Sequence, residues 1–145
     1  MSYRTRHRNR AGTFAGGTPQ RAIIDIGSNT VRLVVYGGTM RAPMVLLNEK
    51  VTAKLGREIA VTGRLAEEAM VLALRGLKRF ALLLDDLGIT DVETVATAAV
   101  REAANGQEFV DQLRAIVQLH VTRGRQRELA AGQQHGRVEH EVLAG

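Results

Sequence analysis

The chain has 145 residues, 45% of them apolar and 3% aromatic, no cysteine, and a formal net charge of +5. That length and apolar content suit a single domain with an aliphatic core of Leu, Val, Ile and Ala. The missing thiols exclude disulfides, thiol catalysis and cysteine zinc sites, and no apolar run is long enough for a membrane-spanning helix.

The charge is concentrated at one end. Arg4, Arg6, Arg8, Arg10 and Arg21 equal the whole net charge, so residues 22–145 are balanced. A basic face on the fold itself, the usual footprint of a nucleic-acid binder, is not expected. Sparse aromatics argue the same way against base stacking. Residues 1–20 are polar and glycine-rich and read as a disordered basic leader, with a polyanion-contacting arm as the sharper alternative. They lack the apolar stretch of a secretory signal, although an Arg-rich, acid-free leader also fits an organelle transit segment. The absence of cysteine fits a reducing compartment, and a cytoplasmic setting is expected.

Residues 21–27 predict a buried strand and residues 31–36 a second, with Val31, Leu33 and Val35 in a period-two pattern. Between them Gly27, Ser28 and Asn29 carry turn chemistry. Asp25 is the one acid in the first apolar run. A carboxylate beside a small polar turn suits a phosphate and metal site, since the acid can hold a hydrated divalent cation and turn amides can face phosphoryl oxygens. An ordinary hairpin with Asp25 bonded to a backbone donor is the plainer alternative. Gly37 and Gly38 turn the chain into a third extended run, residues 44–54, with Val45, Leu47 and Val51 on one side. Residues 55–63 read as a loop.

Residues 65–87 form the strongest helix, its stripe running through Leu65, Ala69, Leu72, Gly76, Phe80, Leu83 and Leu87, widened by Ala73, Leu77 and Leu84. Phe80 reads as core. Gly88 is placed to end the helix; Asp85 and Asp86 at its C-terminus oppose the helix dipole. Residues 92–98 predict a fourth strand, parallel to an earlier one through a helical crossover. A second amphipathic helix, residues 107–119, follows Asn105 and Gly106 with Phe109, Val110, Leu113, Ile116 and Val117 inward. The order β-β-β-α-β-α is α/β in class. Residues 120–145 show little periodicity beyond a strand at 138–143. His135, Glu139, His140 and Glu141 match no zinc spacing and read as a solvated tail.

Two blocks gain meaning as a pair: Asp25-Ile-Gly-Ser-Asn-Thr30, and Thr97-Ala-Ala-Val-Arg101. An arginine on a strand-end loop near a phosphate-binding turn can bracket a polyphosphate, because guanidinium bonds phosphate bidentately. Pairing with Glu102 or a helix end is the alternative for Arg101.

The runs Ile23-Ile-Asp-Ile-Gly-Ser-Asn-Thr-Val-Arg-Leu-Val-Val35, Lys54-Leu-Gly56, Thr62-Gly-Arg-Leu65 and Val95-Ala-Thr-Ala-Ala-Val-Arg-Glu-Ala-Ala-Asn105 together resemble the N-terminal region of the exopolyphosphatase and guanosine pentaphosphate phosphohydrolase family. The resemblance covers roughly residues 21–119. It implies the first lobe of an actin-like, ribonuclease-H-like two-lobe fold, here incomplete, and Mg²⁺-dependent hydrolysis of terminal phosphoanhydride bonds of inorganic polyphosphate or of guanosine pentaphosphate. It implies Asp25 beside the metal, residues Gly27, Ser28, Asn29 and Thr30 as the phosphate loop, and Thr97 with Arg101 at the substrate phosphates. Relatives that are often dimers imply a homodimer.

The family continues into a Gly-Glu-Glu-Ala type segment whose glutamate is the expected general base. Here that place holds Arg123-Gly-Arg-Gln-Arg-Glu128, so no catalytic base is assigned. The expectation is a truncated or frameshifted chain, with an open sheet edge where a lost strand should pair. The rivals are a sugar kinase or chaperone-type ATPase lobe, a non-catalytic polyanion-binding fragment, and a lobe with no ligand.

Overall fold

The computed structural model describes residues 3–7 and 20–120. Five strands form one sheet: β1 (Tyr3–His7), β2 (Arg21–Ile26), β3 (Thr30–Thr39), β4 (Ala42–Thr52) and β5 (Val92–Ala96), in the spatial order β1-β5-β2-β3-β4. β2, β3 and β4 are the expected antiparallel meander, and β5 lies parallel to β2. The helices are α1 (Ile59–Thr62), α2 (Glu67–Asp86), α3 (Ala98–Glu102) and α4 (residues 106–120). The class is α/β, as expected.

β2 shows why the sheet has a core face. Ala22, Ile24 and Ile26 are buried, whereas Asp25, one step out of phase, is exposed, as the two-residue period of a strand requires. The core face meets Ala69, Ala73, Leu77, Phe80 and Leu84 of α2 and Phe109, Leu113 and Val117 of α4 in one apolar cluster. Gly76 lets α2 approach β4 closely, since a Cβ there would lie 2.8 Å from Val51 Cγ2. Leu72, expected in the buried stripe, is instead 44% exposed. The stripe is centred on positions 69, 73, 76, 80 and 84, about a quarter of a turn away.

The end of α2 follows the expectation for Gly88. Its φ is +66°. The Gly88 N–H donates to Asp85 O and the Ile89 N–H to Leu84 O, the bond pair of a Schellman ending, with Ile89 and Leu84 both buried. Asp85, which opposes the dipole there, is engaged by His120, whose Nδ1 lies 2.7 Å from Asp85 Oδ1 and Nε2 2.8 Å from Ile89 O. His120 is therefore tied to the end of α2.

Other expectations are corrected. Part of the basic leader is not disordered: residues 3–7 pair antiparallel with β5 from Tyr3↔Ala96 to His7↔Val92. The physical reason lies in β5, whose backbone polar groups need partners on both sides because the strand is largely buried. Backbone pairing of this kind leaves no apolar pattern in the pairing strand. β1 thus takes the place beside β5, and among the described residues the edge strands of the sheet are β1 and β4. Val45 does not share a side with Leu47, because a bulge shifts the register from Val35↔Leu47 to Tyr36↔Val45. One extra residue moves everything beyond it to the other face, and Val45 is 58% exposed. The loop at 55–63 contains the single turn α1, closed by Gly63 at φ +68°. The remaining leader, the candidate strand at 138–143, Glu128 and the His135–His140 group lie outside the described residues.

Candidate phosphate-binding site

β2 and β5 run parallel, so their C-terminal ends emerge side by side. The register sets Asp25 beside Val95 and Ile26 beside Ala96. The Thr97 N–H continues the contact by donating to Ile26 O at 3.1 Å. Beyond β2 the chain turns through Gly27, Ser28 and Asn29, closed by Gly27 N–H to Thr30 O at 2.9 Å. Beyond β5 it enters α3, with Thr97 at the N-cap position and the Arg101 N–H donating to Thr97 O at 3.3 Å. The two blocks singled out in the sequence therefore meet at one end of the sheet, outside the carboxyl ends of parallel strands, where α/β sheets bind ligands.

Exposure in this region suits a ligand. Ser28, Asn29 and Thr97 are exposed, and Gly27, Thr30 and Arg101 are half-buried. Asp25 is exposed on the face opposite Ile24 and Ile26, in register with Arg32 of β3. Among the described residues no hydrogen bond or ion pair reaches its carboxylate. An unengaged hard-oxygen ligand of this kind fits Mg²⁺, which binds through one or two carboxylates together with substrate phosphates and water. No group of three or more His, Asp or Glu able to enclose a metal occurs among the described residues; Asp25 would be the residue that holds the ion.

Three residues matter here that the sequence placed in family-like runs or read as chain breaks without a role at the site. Gly56 and Lys54 lie on the segment that follows β4, which runs against the 27–30 turn. The Ala53 and Lys54 N–H groups donate to Asn29 O at 3.1 and 2.9 Å, and the Gly56 N–H donates to Ser28 O at 2.7 Å. A Cβ on Gly56 would lie 2.8 Å from Ser28 Cβ, so the approach needs glycine. Asn105 is buried, and its side-chain amide clasps both backbone groups of Leu65: Leu65 N–H to Oδ1 at 2.8 Å, and Nδ2 to Leu65 O at 3.0 Å. That clasp fixes the α3–α4 junction, and with it Arg101, against the start of α2. The Asn-Gly pair at 105–106 was legible as a break in the chain; the partner forty residues away was not.

A cavity of about 260 Å³ lies elsewhere, between α2 and α4, lined mainly by Ala81, Leu82, Ile116 and Leu119 with Asp85 and His120.

A family model for the Ppx/GppA phosphatase family matches residues 34–127. A Ppx/GppA family member from Aquifex aeolicus has a similar structure, at 33% sequence identity and a TM-score of 0.64, covering 68% of this chain and 32% of that one. An exopolyphosphatase from Cytophaga hutchinsonii matches at 35% identity and a TM-score of 0.62, over 68% of this chain and 31% of that one. The chain belongs to the Ppx/GppA phosphatase family. Its α/β sheet is the actin-like N-terminal lobe of that family, and it spans about a third of the length of the solved relatives it matches. The matched region takes in Thr97 and Arg101; Asp25 and the 27–30 turn precede it.

Proposed function

We propose that this lobe binds the terminal phosphoryl groups of inorganic polyphosphate as the phosphate-holding half of a Mg²⁺-dependent phosphohydrolase. The carrying observation is the meeting of an exposed turn, whose carbonyls are tied back, with Thr97 and α3 at the ends of two parallel strands. In this reading the Ser28 and Asn29 amides and the Thr30 hydroxyl face phosphoryl oxygens, Thr97 and Arg101 bracket the chain from β5, and Asp25 holds Mg²⁺. When bound, the ion neutralises phosphate charge; the residues themselves position the chain for in-line attack. The likeness to the Cytophaga exopolyphosphatase favours polyphosphate over guanosine pentaphosphate. A second reading, polyanion binding without turnover, has the same site and lacks only the hydrolysis. A cytoplasmic setting accompanies both, on the absence of cysteine; no helix among the described residues is long and apolar enough to cross a membrane. For a homodimer, β4, an edge strand on which Met44, Val45 and Leu46 are exposed among the described residues, is a strand available for pairing.

Calorimetry with polyphosphate, tripolyphosphate and guanosine pentaphosphate, each with and without Mg²⁺, tests the proposal, with phosphate release measured alongside. Mg²⁺-dependent binding that weakens in Arg101→Gln is expected, with polyphosphate bound more tightly than the nucleotide. Binding that ignores both Mg²⁺ and Arg101 would refute it.

A further inference from the structure

We propose that residues 53–56 are a backbone clamp that aims the turn amides at the anion, with Lys54 as its positioning residue. The inference rests on the phosphate-binding reading of residues 27–30. Its basis is three hydrogen bonds and one unusual dihedral angle. The clamp donates twice to Asn29 O, from Ala53 and Lys54, and once to Ser28 O, from Gly56. None of the described peptide bonds is cis. In a trans peptide plane the N–H points opposite to the carbonyl that shares it. Tying Ser28 O to the clamp therefore turns the Asn29 N–H away from it, and tying Asn29 O does the same to the Thr30 N–H. Among the described residues the Asn29 N–H has no acceptor. A donor held in a fixed direction with no protein partner is what an anion site requires, and fixing it before binding removes reorganisation from the binding step.

Lys54 makes the clamp possible. Its φ of +57° makes it the only non-glycine residue with positive φ among those described. This left-handed conformation lets the chain donate from Lys54 to Asn29 and then, two residues later, from Gly56 to Ser28. The segment is anchored from below by Ala53 and Leu55, 4% and 0% exposed, while Lys54 itself is exposed. A strained residue over-determined by its surroundings beside a candidate site is the pattern in which strain serves function.

Two variants of the full chain separate backbone from charge. Lys54→Gly removes the ammonium and keeps the left-handed conformation, which glycine adopts freely. Lys54→Val removes the ammonium too and disfavours the conformation. Mg²⁺–tripolyphosphate affinity should stay within about twofold of wild type in Lys54→Gly and fall about tenfold or more in Lys54→Val. In ¹H–¹⁵N spectra the Asn29 amide should shift on adding tripolyphosphate in wild type and Lys54→Gly, and not in Lys54→Val. If Lys54→Val does not fold, Gly56→Ala, which crowds Ser28, takes its place with the same expectation. Equal losses in the glycine and valine variants would mean that the ammonium acts and the clamp does not. Wild-type affinity in Lys54→Val or Gly56→Ala would likewise overturn the clamp while leaving the phosphate reading intact. Failure of the wild-type chain to bind tripolyphosphate would remove both.

Discussion

The sheet has two hairpin turns at opposite ends of β3, one of small polar residues, Gly27-Ser28-Asn29, and one of long side chains, Met40-Arg41. The β2–β3 turn, Gly27-Ser28-Asn29, is exposed at Ser28 and Asn29, yet three hydrogen bonds from the 53–56 segment hold its carbonyls. The β3–β4 turn is exposed as well, with Met40 at 99%. Among the described residues its contacts are its own: the Thr39↔Ala42 pairing and the Ala42 N–H to Thr39 Oγ1 bond at 3.2 Å. Exposure and freedom are thus separate properties. A loop can meet solvent and still be fixed, provided its backbone is tied to something buried; here that anchor is Leu55. The fixed turn lies beside Thr97 and α3 at the candidate site, and the self-contained one lies at the far end of β3.

The sharpest test of that difference is Leu55→Ala. Removing a fully buried leucine side chain should cost about 2–5 kcal/mol, read as a lower urea midpoint, and should weaken tripolyphosphate binding as the anchor loosens. If stability falls and binding survives, the clamp does not depend on its anchor, and the contrast between the turns loses its cause.

The glycines come next. Gly38 has φ +83°, and a Cβ there would lie 2.6 Å from Ala42 O. Gly38→Ala should therefore destabilise the hairpin by about 1–3 kcal/mol without changing phosphate affinity. Gly56→Ala should do both, since its Cβ meets the phosphate turn itself. Thermal unfolding paired with calorimetry on each variant separates the two, and a Gly38→Ala chain that loses binding would show that the turns communicate through β3.

Much of this was readable from the residues. The β2-β3-β4 meander, the parallel β5, the Gly88 helix ending and the pairing of the 25–30 and 97–101 blocks all leave local signals: alternation, a crossover helix, a glycine after an apolar stripe, small polar residues after a strand. What stayed hidden was carried by backbone bonds between distant segments. β1 joins β5 through main-chain pairing that asks nothing apolar of Tyr3–His7. The bulge at Val35/Tyr36 is one unpaired residue, and it reversed the side assigned to Val45. The clamp bonds Lys54 to Asn29 through N–H and carbonyl, so neither side chain announces it.

Asp25→Asn follows in size. The carboxylate is exposed and has no protein partner among the described residues, so its loss should leave the unfolding midpoint unchanged within about 0.5 kcal/mol. Binding measured without Mg²⁺ should stay the same or tighten slightly, because a negative charge leaves the phosphate's neighbourhood. Binding with Mg²⁺ should weaken about tenfold, or about 1.4 kcal/mol. An equal effect with and without the ion would remove the metal role from Asp25.

The smallest expected effect lies at the other turn and serves as the control. Met40 is almost wholly exposed, so it buries little apolar area and its truncation has little to lose. Met40→Ala should change stability by no more than about 0.5 kcal/mol and leave tripolyphosphate affinity unaltered. Its value is in what a larger change would mean. A clear loss of stability would require Met40 to be covered in solution, and among the described residues the exposed apolar side chains of the adjoining β4 edge are Met44, Val45 and Leu46. Sedimentation of wild type and Met40→Ala over a concentration series distinguishes the cases. A monomer in both leaves the β3–β4 turn as the free partner in the comparison. A wild-type dimer that weakens in the variant makes that turn a contact between copies, its freedom removed by a second chain as that of the β2–β3 turn is removed by residues 53–56.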